Sequence, residues 1–353
     1  MILKLVLSFC TLFTVITTFL PFIRNDYWIF RVLEYLRLQK LFVGFIFLIA
    51  IIATRSILDE WFWWLVVPLG VCLIYLFTQV LPYTFLGTKE MHRVKEIIPG
   101  AGLKIFTANV LKDNREYERM LQQLRDQDPD IIFLVETDKK WEEATSVLQK
   151  DYPYTLKKPL DNTYGLLFYC RLEVTESTIN FLVEADVPSI ELTLLLANGI
   201  PVKIYGLHPK PPVPYESTHS TAKDKELMKV ALAIENYTGP CVVIGDLNDV
   251  AWSRITKLFR KVSGLLDPRL GRGFYSTFSA KKKWLRFPLD YIFCSAHFLL
   301  QSMKKMPRNG SDHFPMFINL QYEELSSNSQ HKHSPDTEEK KQAIEEATKE
   351  TNN

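Results

Sequence analysis

Six short polar segments stand at or beside the ends of apolar, strand-like runs. They are Thr107-Ala108-Asn109, Val135-Glu136-Thr137, Gly206-Leu207-His208-Pro209, Gly245-Asp246-Leu247-Asn248, Leu289-Asp290-Tyr291 and Ser311-Asp312-His313-Phe314-Pro315. Their functional groups are carboxylates, imidazoles and side-chain amides, the tools of an active site. Open α/β folds gather such groups where strands end. The series predicts a single site assembled from several strand ends.

Each segment also has a plainer reading. Glu136 follows the apolar residues 131–135 and could cap a helix, and Asn109 could serve a turn. Gly245 permits a tight exit from residues 241–244, so Asp246 and Asn248 leave from one loop, as an Asx-turn with a helix cap also would. His208 is held on the restricted backbone before Pro209 and could be a buried, satisfied imidazole. Asp290 is harder to explain away. It opens an apolar run and should be buried, where a carboxylate without a partner is costly; His313 is the natural candidate.

The elements that would hold these groups follow from hydrophobic periodicity. Residues 103–108 read as a strand, and Asn114 can cap a helix whose Tyr117, Met120, Leu121 and Leu124 recur at helical spacing. Residues 131–135 are a second strand. Residues 165–170, 179–183, 190–196 and 202–205 then follow as strands without long helices between them. A helix over 217–236, a strand at 241–244, a helix over 251–261 and strands at 291–294 and 314–320 complete the set. The predicted fold class is α/β: a four-layer α/β sandwich of two packed mixed β-sheets flanked by helices, preceded by an N-terminal transmembrane helical segment.

With 353 residues the chain has room for one large domain and an accessory segment, and its net charge of +2 gives no whole-chain attraction to nucleic acid. Residues 1–87 are far more apolar than the rest and predict transmembrane helices at about 3–22, 36–54 and 61–81. The middle one needs Arg37 and Lys40 to snorkel. Trp28, Trp61, Trp63 and Trp64 stand at the proposed ends, as interfacial aromatic belts do. A signal peptide over residues 1–22 is the alternative, but two apolar runs follow it and no small-x-small cleavage site precedes Pro21. Residues 88–102 read as a linker, 103–322 as the catalytic domain, and 323–353 as a disordered or partly helical polar tail. His331 and His333 in that tail are candidate metal ligands, or simply solvated. Arg24, Arg31, Arg37 and Lys40 in the first loop, against Lys4 and Arg55, place that loop and the domain in the cytoplasm by a literal charge count. Cys10 and Cys72 fall within spans, while Cys170, Cys241 and Cys294 read as buried hydrophobes.

Taken together, Asn109, Glu136, His208, Asp246-Leu247-Asn248, Asp290 and Asp312-His313 resemble the endonuclease/exonuclease/phosphatase superfamily over about residues 103–320. That superfamily includes abasic-site endonucleases, secreted deoxyribonucleases, neutral sphingomyelinases and inositol-polyphosphate 5-phosphatases. The layout is similar to a bacterial membrane-anchored subgroup, which implies an inner-membrane protein whose domain lies outside the cytoplasm, against the charge count. The resemblance implies a metal-dependent phosphoric ester hydrolase. Mg²⁺ or Mn²⁺ would be held by Glu136 with Asn109 and Asp312; hard cations of this kind prefer oxygen ligands. It also implies that His313, oriented by Asp290, is a general base or electrostatic partner, and that Asp246 positions or deprotonates water. Asn248 would then donate to a phosphate oxygen, and His208 would donate to the phosphate or protonate the leaving oxygen.

Basic residues near two of these segments point to an anionic substrate. Lys281, Lys282, Lys283 and Arg286, with Trp284 as a stacking surface, precede Asp290; Lys304, Lys305 and Arg308 precede Asp312. A solvated hairpin tip is the plainer reading of the first group. The expected partners are a phosphate ester, either nucleic acid or a phospholipid head group, and the lipid bilayer; no protein partner is expected. The leading expectation is a nuclease-like phosphodiesterase. The alternatives are a phospholipid or inositol-phosphate phosphatase or phospholipase C-like enzyme, and a non-catalytic tethered binding module.

Overall fold

Every residue of the strand Ile131–Val135 is buried, yet its two faces serve different layers. Ile131, Phe133 and Val135 join one apolar cluster, while Ile132 and Leu134 join another. This period-of-two division of a strand buried on both sides organises the whole domain. It is seen in the computed structural model of the chain, which describes residues 1–330 and 332–351.

The N-terminal part contains α1 (Ile2–Phe19), α2 (Trp28–Tyr35), α3 (Arg37–Ala53), α4 (Arg55–Leu58) and α5 (Trp61–Val80). The domain follows as β1 (Gly102–Asn109), α6 (Tyr117–Gln127), β2 (Ile131–Val135), α7 (Lys139–Thr145), β3 (Tyr154–Lys158), β4 (Leu166–Cys170), β5 (Val174–Asn180), β6 (Ser189–Leu195) and β7 (Pro201–Leu207). It continues with α8 (Thr221–Glu235), β8 (Cys241–Asp246), α9 (Arg254–Ser263), β9 (Asp290–Cys294), β10 (Phe298–Lys305) and β11 (Met316–Tyr322). Helices α10 (Ser326–Ser329) and α11 (Thr337–Thr348) lie beyond the last strand.

The strands form a six-stranded sheet, β10-β11-β1-β2-β4-β3, and a five-stranded sheet, β5-β6-β7-β8-β9. Between the sheets lie Ile105, Phe133 and Phe168 from one and Ile190, Ile204 and Val242 from the other. Helices α6 and α7 cover the outer face of the first sheet through Met120, Leu124 and Trp141. Helices α8 and α9 cover the second through Leu227, Ala231, Ile255 and Phe259. Two mixed sheets flanked by helices is the expected four-layer class.

Each sheet carries a single kind of parallel pair near its centre. In the first, β1 and β2 run parallel with Asn109 opposite Val135; in the second, β7 and β8 run parallel with Leu207 opposite Gly245. The C-terminal ends of all four strands therefore deliver Asn109, Glu136, His208 and Asp246. Strand β9 runs antiparallel to β8 with Asp290 opposite Asp246, so its first residue reaches the same end.

Two helical stretches, Ile2–Phe22 and Trp61–Tyr83, are long and apolar enough to cross a membrane, with mean hydropathies of 2.0 and 2.1. Helix α3 reaches that standard only together with α2, from which it bends by 66°. Leu7, Ile51, Leu65 and Leu69 hold α1, α3 and α5 together. Lys4 pairs with Asp59 at 3.1 Å at one end of this bundle. At the other end α2 is built into the domain. Arg31 reaches Asp224 at 2.5 Å, Arg37 donates to the Trp252 carbonyl at 2.9 Å, and the Trp252 indole donates to the Glu34 carbonyl at 2.8 Å. The five cysteines are free, and all but Cys10 are buried.

Two segments are more ordered than composition suggests. The stretch read as a linker is pinned by Glu90, which binds Arg260 at 2.6 Å and His333 at 2.5 Å. The polar tail carries α11, capped by Asp336 through a reciprocal capping box and docked on the helical layer through the buried Ala343 and Ala347. Two small residues one turn apart offer too little apolar surface to stand out in a sequence. His331, the other tail candidate for metal, lies outside the described residues.

Gly245 tests how strictly this arrangement is specified. Its φ of +135° suits glycine, and a Cβ there would lie 2.0 Å from the Leu207 carbonyl oxygen of the neighbouring strand. Gly245→Ala should destabilise the domain by at least ~2 kcal/mol, read as a lowered thermal midpoint; an unchanged midpoint would contradict the strand register.

Candidate active site

Asp290 and Asp246 are almost wholly buried, and burial of a carboxylate demands compensation. It comes from the other sheet. His313, in the loop that leads into β11, bonds Asp290 Oδ2 through Nδ1 at 2.8 Å and faces Asp246 Oδ2 through Nε2 at 3.5 Å. Asn109, at the end of β1, donates its amide to Asp246 at 3.1 Å and to Glu136 at 2.6 Å. Thus every expected strand-end residue except Asp312 belongs to, or abuts, one hydrogen-bonded cluster.

Local backbone chemistry fixes these positions. Glu136 and Asn248 both adopt positive φ, 58° and 49°, uncommon for residues with a side chain and frequent at functional sites. Asp246 Oδ1 accepts from the Asn248 amide at 3.0 Å, and the Asn248 side chain donates to the Pro209 carbonyl at 3.0 Å. The turn reading of Asp246 and Asn248 is therefore seen, and it is compatible with the functional one. Arg269, buried and paired with Asp267 at 2.8 Å, braces β9 by donating to the Asp290 carbonyl at 3.2 Å.

Electrostatics follows from this packing. Burial works against a charged His313, but the flanking Asp290 and Asp246 carboxylates outweigh it and hold the imidazole pKa well above its ordinary value. Burial raises Asp246 above the usual carboxylate range, opposed by the His313 cation. Burial pushes the Glu136 carboxyl up to about 6, with the Asn109 hydrogen bond acting against it. His208 is driven the other way, to about 3, by burial and then by the neighbouring His313 charge. At neutral pH His313 is thus an imidazolium and His208 a neutral imidazole whose Nδ1 has no hydrogen-bond partner.

A cavity of about 450 Å³ opens over the cluster and is lined by Glu136, His208, Asn248, Asp312 and His313. Tyr164 lines it too, donating its hydroxyl to Glu216 and packing its ring 5.6 Å from that of His208. Asp246, Asp290 and His313 bring three potential ligand atoms within 4.8 Å of one another. Asp290 Oδ2 and Asp246 Oδ2 are turned to the His313 ring, Asp290 Oδ1 has no hydrogen-bond partner, and a protonated imidazole has no lone pair for a metal. Glu136 and Asp312, both open to the cavity, are the better pair of hard oxygen donors. Asn109 turns its amide nitrogen, not its oxygen, toward Glu136.

Other expected residues fall elsewhere. Lys281, Lys282, Lys283, Trp284 and Arg286 do not line the cavity. Trp284 is 79% exposed and lies beside α3, its ring 6.3 Å from that of Phe42, while Arg286 stacks on Phe314 at 5.2 Å. Sequence reasoning missed the cavity's other wall. Val32 and Tyr35 of α2 line it, and the Tyr35 hydroxyl donates to the Asn248 carbonyl at 2.5 Å. The only sequence signal for this was Arg31, Glu34 and Arg37 at helical spacing in an otherwise apolar stretch.

Comparison with known proteins came to the same region. The sequence model of the Endonuclease/Exonuclease/phosphatase family matches residues 106–313, more than half of the chain. No curated protein matches the sequence. Among solved structures, D. rerio TDP2 complexed with single-strand DNA product superposes with a TM-score of 0.53 at 16% identity, covering 62% of this chain and 99% of that one. The human Nocturnin catalytic domain with bound sulfate gives 0.52 at 19% identity, covering 63% and 94%. A Bacteroides thetaiotaomicron mannosyl-6-phosphatase gives 0.51 at 16% identity, covering 62% and 100%. At these identities the likeness is one of fold.

The paired carboxylates make a direct spectroscopic prediction. In metal-free protein with ring-¹⁵N-labelled histidine, His313 should be doubly protonated at pH 7, and Asp290→Asn should bring its titration down toward the ordinary histidine range near 6.5. A His313 that is neutral at pH 7 in the unaltered protein would overturn the assignment.

Proposed function

The chain belongs to the endonuclease/exonuclease/phosphatase family, whose members hydrolyse phosphate esters, and from that premise we propose that it is a membrane-anchored, metal-dependent phosphoric ester hydrolase. The observation that carries the reading is the imidazolium of His313, held between Asp290 and Asp246 at the floor of a cavity that Glu136 and Asp312 also line. A cation fixed beside carboxylates suits an ester that is anionic and gains charge during reaction.

Glu136 and Asp312, with Asn109 after rotation of its amide, would hold Mg²⁺ or Mn²⁺, which would polarise a phosphoryl oxygen and offset its charge. The chain's own groups divide the remaining work. Asp246, raised toward neutrality by burial, accepts the proton of the attacking water at Oδ2. His313 stays protonated and stabilises the phosphoryl oxygens, so its role is electrostatic and not that of a base. Asn248 and the neutral His208 donate hydrogen bonds to the phosphate. Because His208 is a neutral imidazole at neutral pH and not an imidazolium, it is no general acid, and the leaving oxygen must take its proton elsewhere.

Membrane anchoring is supported by the two membrane-length helices. The pairing of Lys4 with Asp59 and of Arg31 with Asp224 fits three crossings by α1, α3 and α5, with residues 20–36 sharing a face with the domain. Arg31 and Arg37 are neutralised by Glu34 and Asp224, so they are poor reporters for a charge count. Impermeant maleimide should therefore label a cysteine at Arg24 and one at Glu176 from the same side of the membrane, and one at Glu60 from the opposite side. Labelling of positions 24 and 176 from opposite sides would exclude this topology.

Activity gives the decisive test. Purified full-length protein with Mg²⁺ or Mn²⁺ should hydrolyse nitrophenyl phosphate mono- or diesters, and chelator should abolish turnover. Glu136→Ala and His313→Ala should each lower kcat by about 10³-fold; Glu136→Ala should keep the thermal midpoint within a few degrees, whereas His313→Ala, which leaves Asp290 and Asp246 without their partner, should lower it. Wild-type turnover in either variant would show that the site is misassigned.

A further inference from the structure

The cavity's upper wall raises a question that phosphate chemistry alone does not answer. Val32 and Tyr35 of α2, Val213 of the loop after β7, and Phe278 and Phe287 of the segment before β9 line it above the polar floor. No lysine or arginine is among the described residues that line the cavity. A nucleic acid strand carries a phosphate at every nucleotide and is held by neutralising several of them at once. This cavity has polar groups for one phosphate and apolar surface for whatever adjoins it.

Where that surface leads is set by the chain itself. Helix α2 lies between the membrane-length stretch that begins with α1 and the apolar α3, and on the same segment Phe22, Ile23 and Ile29 are 61%, 55% and 41% exposed. The loop that carries Lys281, Lys282 and Lys283 ends at Trp284, whose carbonyl accepts from Gln39 of α3 at 3.1 Å. Lysines beside an exposed tryptophan at the first turns of a membrane helix suit the bilayer interface, where the cations meet anionic head groups and the indole sits at their level. One wall of the cavity is thus made by the segment between α1 and α3, and the basic loop lies against α3.

We infer that the substrate is an amphiphile resident in the membrane: a phosphate ester of a long-chain lipid alcohol, whose phosphate reaches Glu136 and His313 while the first part of its apolar chain lies along Val32, Tyr35 and Val213. This rests on the hydrolase reading above and names the substrate class for the same site. In the reaction water adds to phosphorus, the P–O bond to the ester oxygen breaks, and that oxygen leaves as an alcohol after gaining a proton. No co-reactant beyond water is needed.

The test uses full-length protein in detergent–phosphatidylcholine mixed micelles with Mg²⁺. Long-chain phosphatidic acid and phosphatidylglycerol provide a monoester and a diester; glycerol 3-phosphate and glycerophosphoglycerol are their chain-free counterparts; a single-stranded DNA oligonucleotide is the competitor. Nitrophenyl esters report independently whether the site is competent. At least one long-chain ester should exceed its chain-free counterpart by about 100-fold or more in kcat/KM, because only the former buries apolar surface in the cavity. Val32→Asp and Val213→Asp, both at partly exposed positions that a charge does not unfold, should each lower the long-chain value by at least about tenfold. Equal rates with and without chains, faster cleavage of the oligonucleotide, or insensitivity to both aspartates would overturn the inference while leaving the hydrolase reading intact. Failure on the nitrophenyl esters as well would overturn both.

Discussion

Two carboxylates of one sheet are buried where the sheets meet, and side chains of the other sheet compensate them. Asp290 and Asp246 belong to β9 and β8; the His313 ring and the Asn109 amide that contact them come from the loop before β11 and the end of β1. A buried carboxylate left alone is strongly unfavourable, so this clasp is the condition on which the open end of the sandwich depends. Glu136 is held by the same Asn109 amide, and Asn248 by the other oxygen of Asp246. The groups that perform the proposed chemistry are therefore the groups that close the fold at this end.

The apolar N-terminal segment is tied to the same place. Arg31, Glu34 and Arg37 form a buried ionic array with Asp224, and Tyr35 fastens the loop that carries Asn248. Such an array contributes less net stability than its short distances suggest, because its charges lose their water. Its effect is positional. It fixes α2 at the rim of the cavity and leaves the domain little freedom to swing away from the N-terminal helices.

Most of the site was legible because a strand buried on both faces is an uninterrupted apolar run, and the polar residue that ends it is conspicuous. Glu136 after 131–135 and Asp246 after 241–244 were found that way. The partnership of Asp290 with His313 followed from the cost of burying a carboxylate. What escaped the sequence depends on long-range pairing. Nothing local to Arg31 announces Asp224, and α11 docks through two alanines. The basic loop at 281–286 was read for its charge alone, which says nothing about whether it faces the cavity or α3. The amide orientation of Asn109 and the protonation of His313 are likewise consequences of assembly.

The central claim is that Glu136, beside the His313 clasp, anchors a catalytic divalent ion. Electron paramagnetic resonance of Mn²⁺ titrated into the full-length protein tests it without reference to any substrate. A saturable Mn²⁺ site is expected, with an affinity that falls by at least about tenfold in Glu136→Gln, while His208→Gln binds as the unaltered protein does. Unchanged Mn²⁺ binding in Glu136→Gln would contradict it.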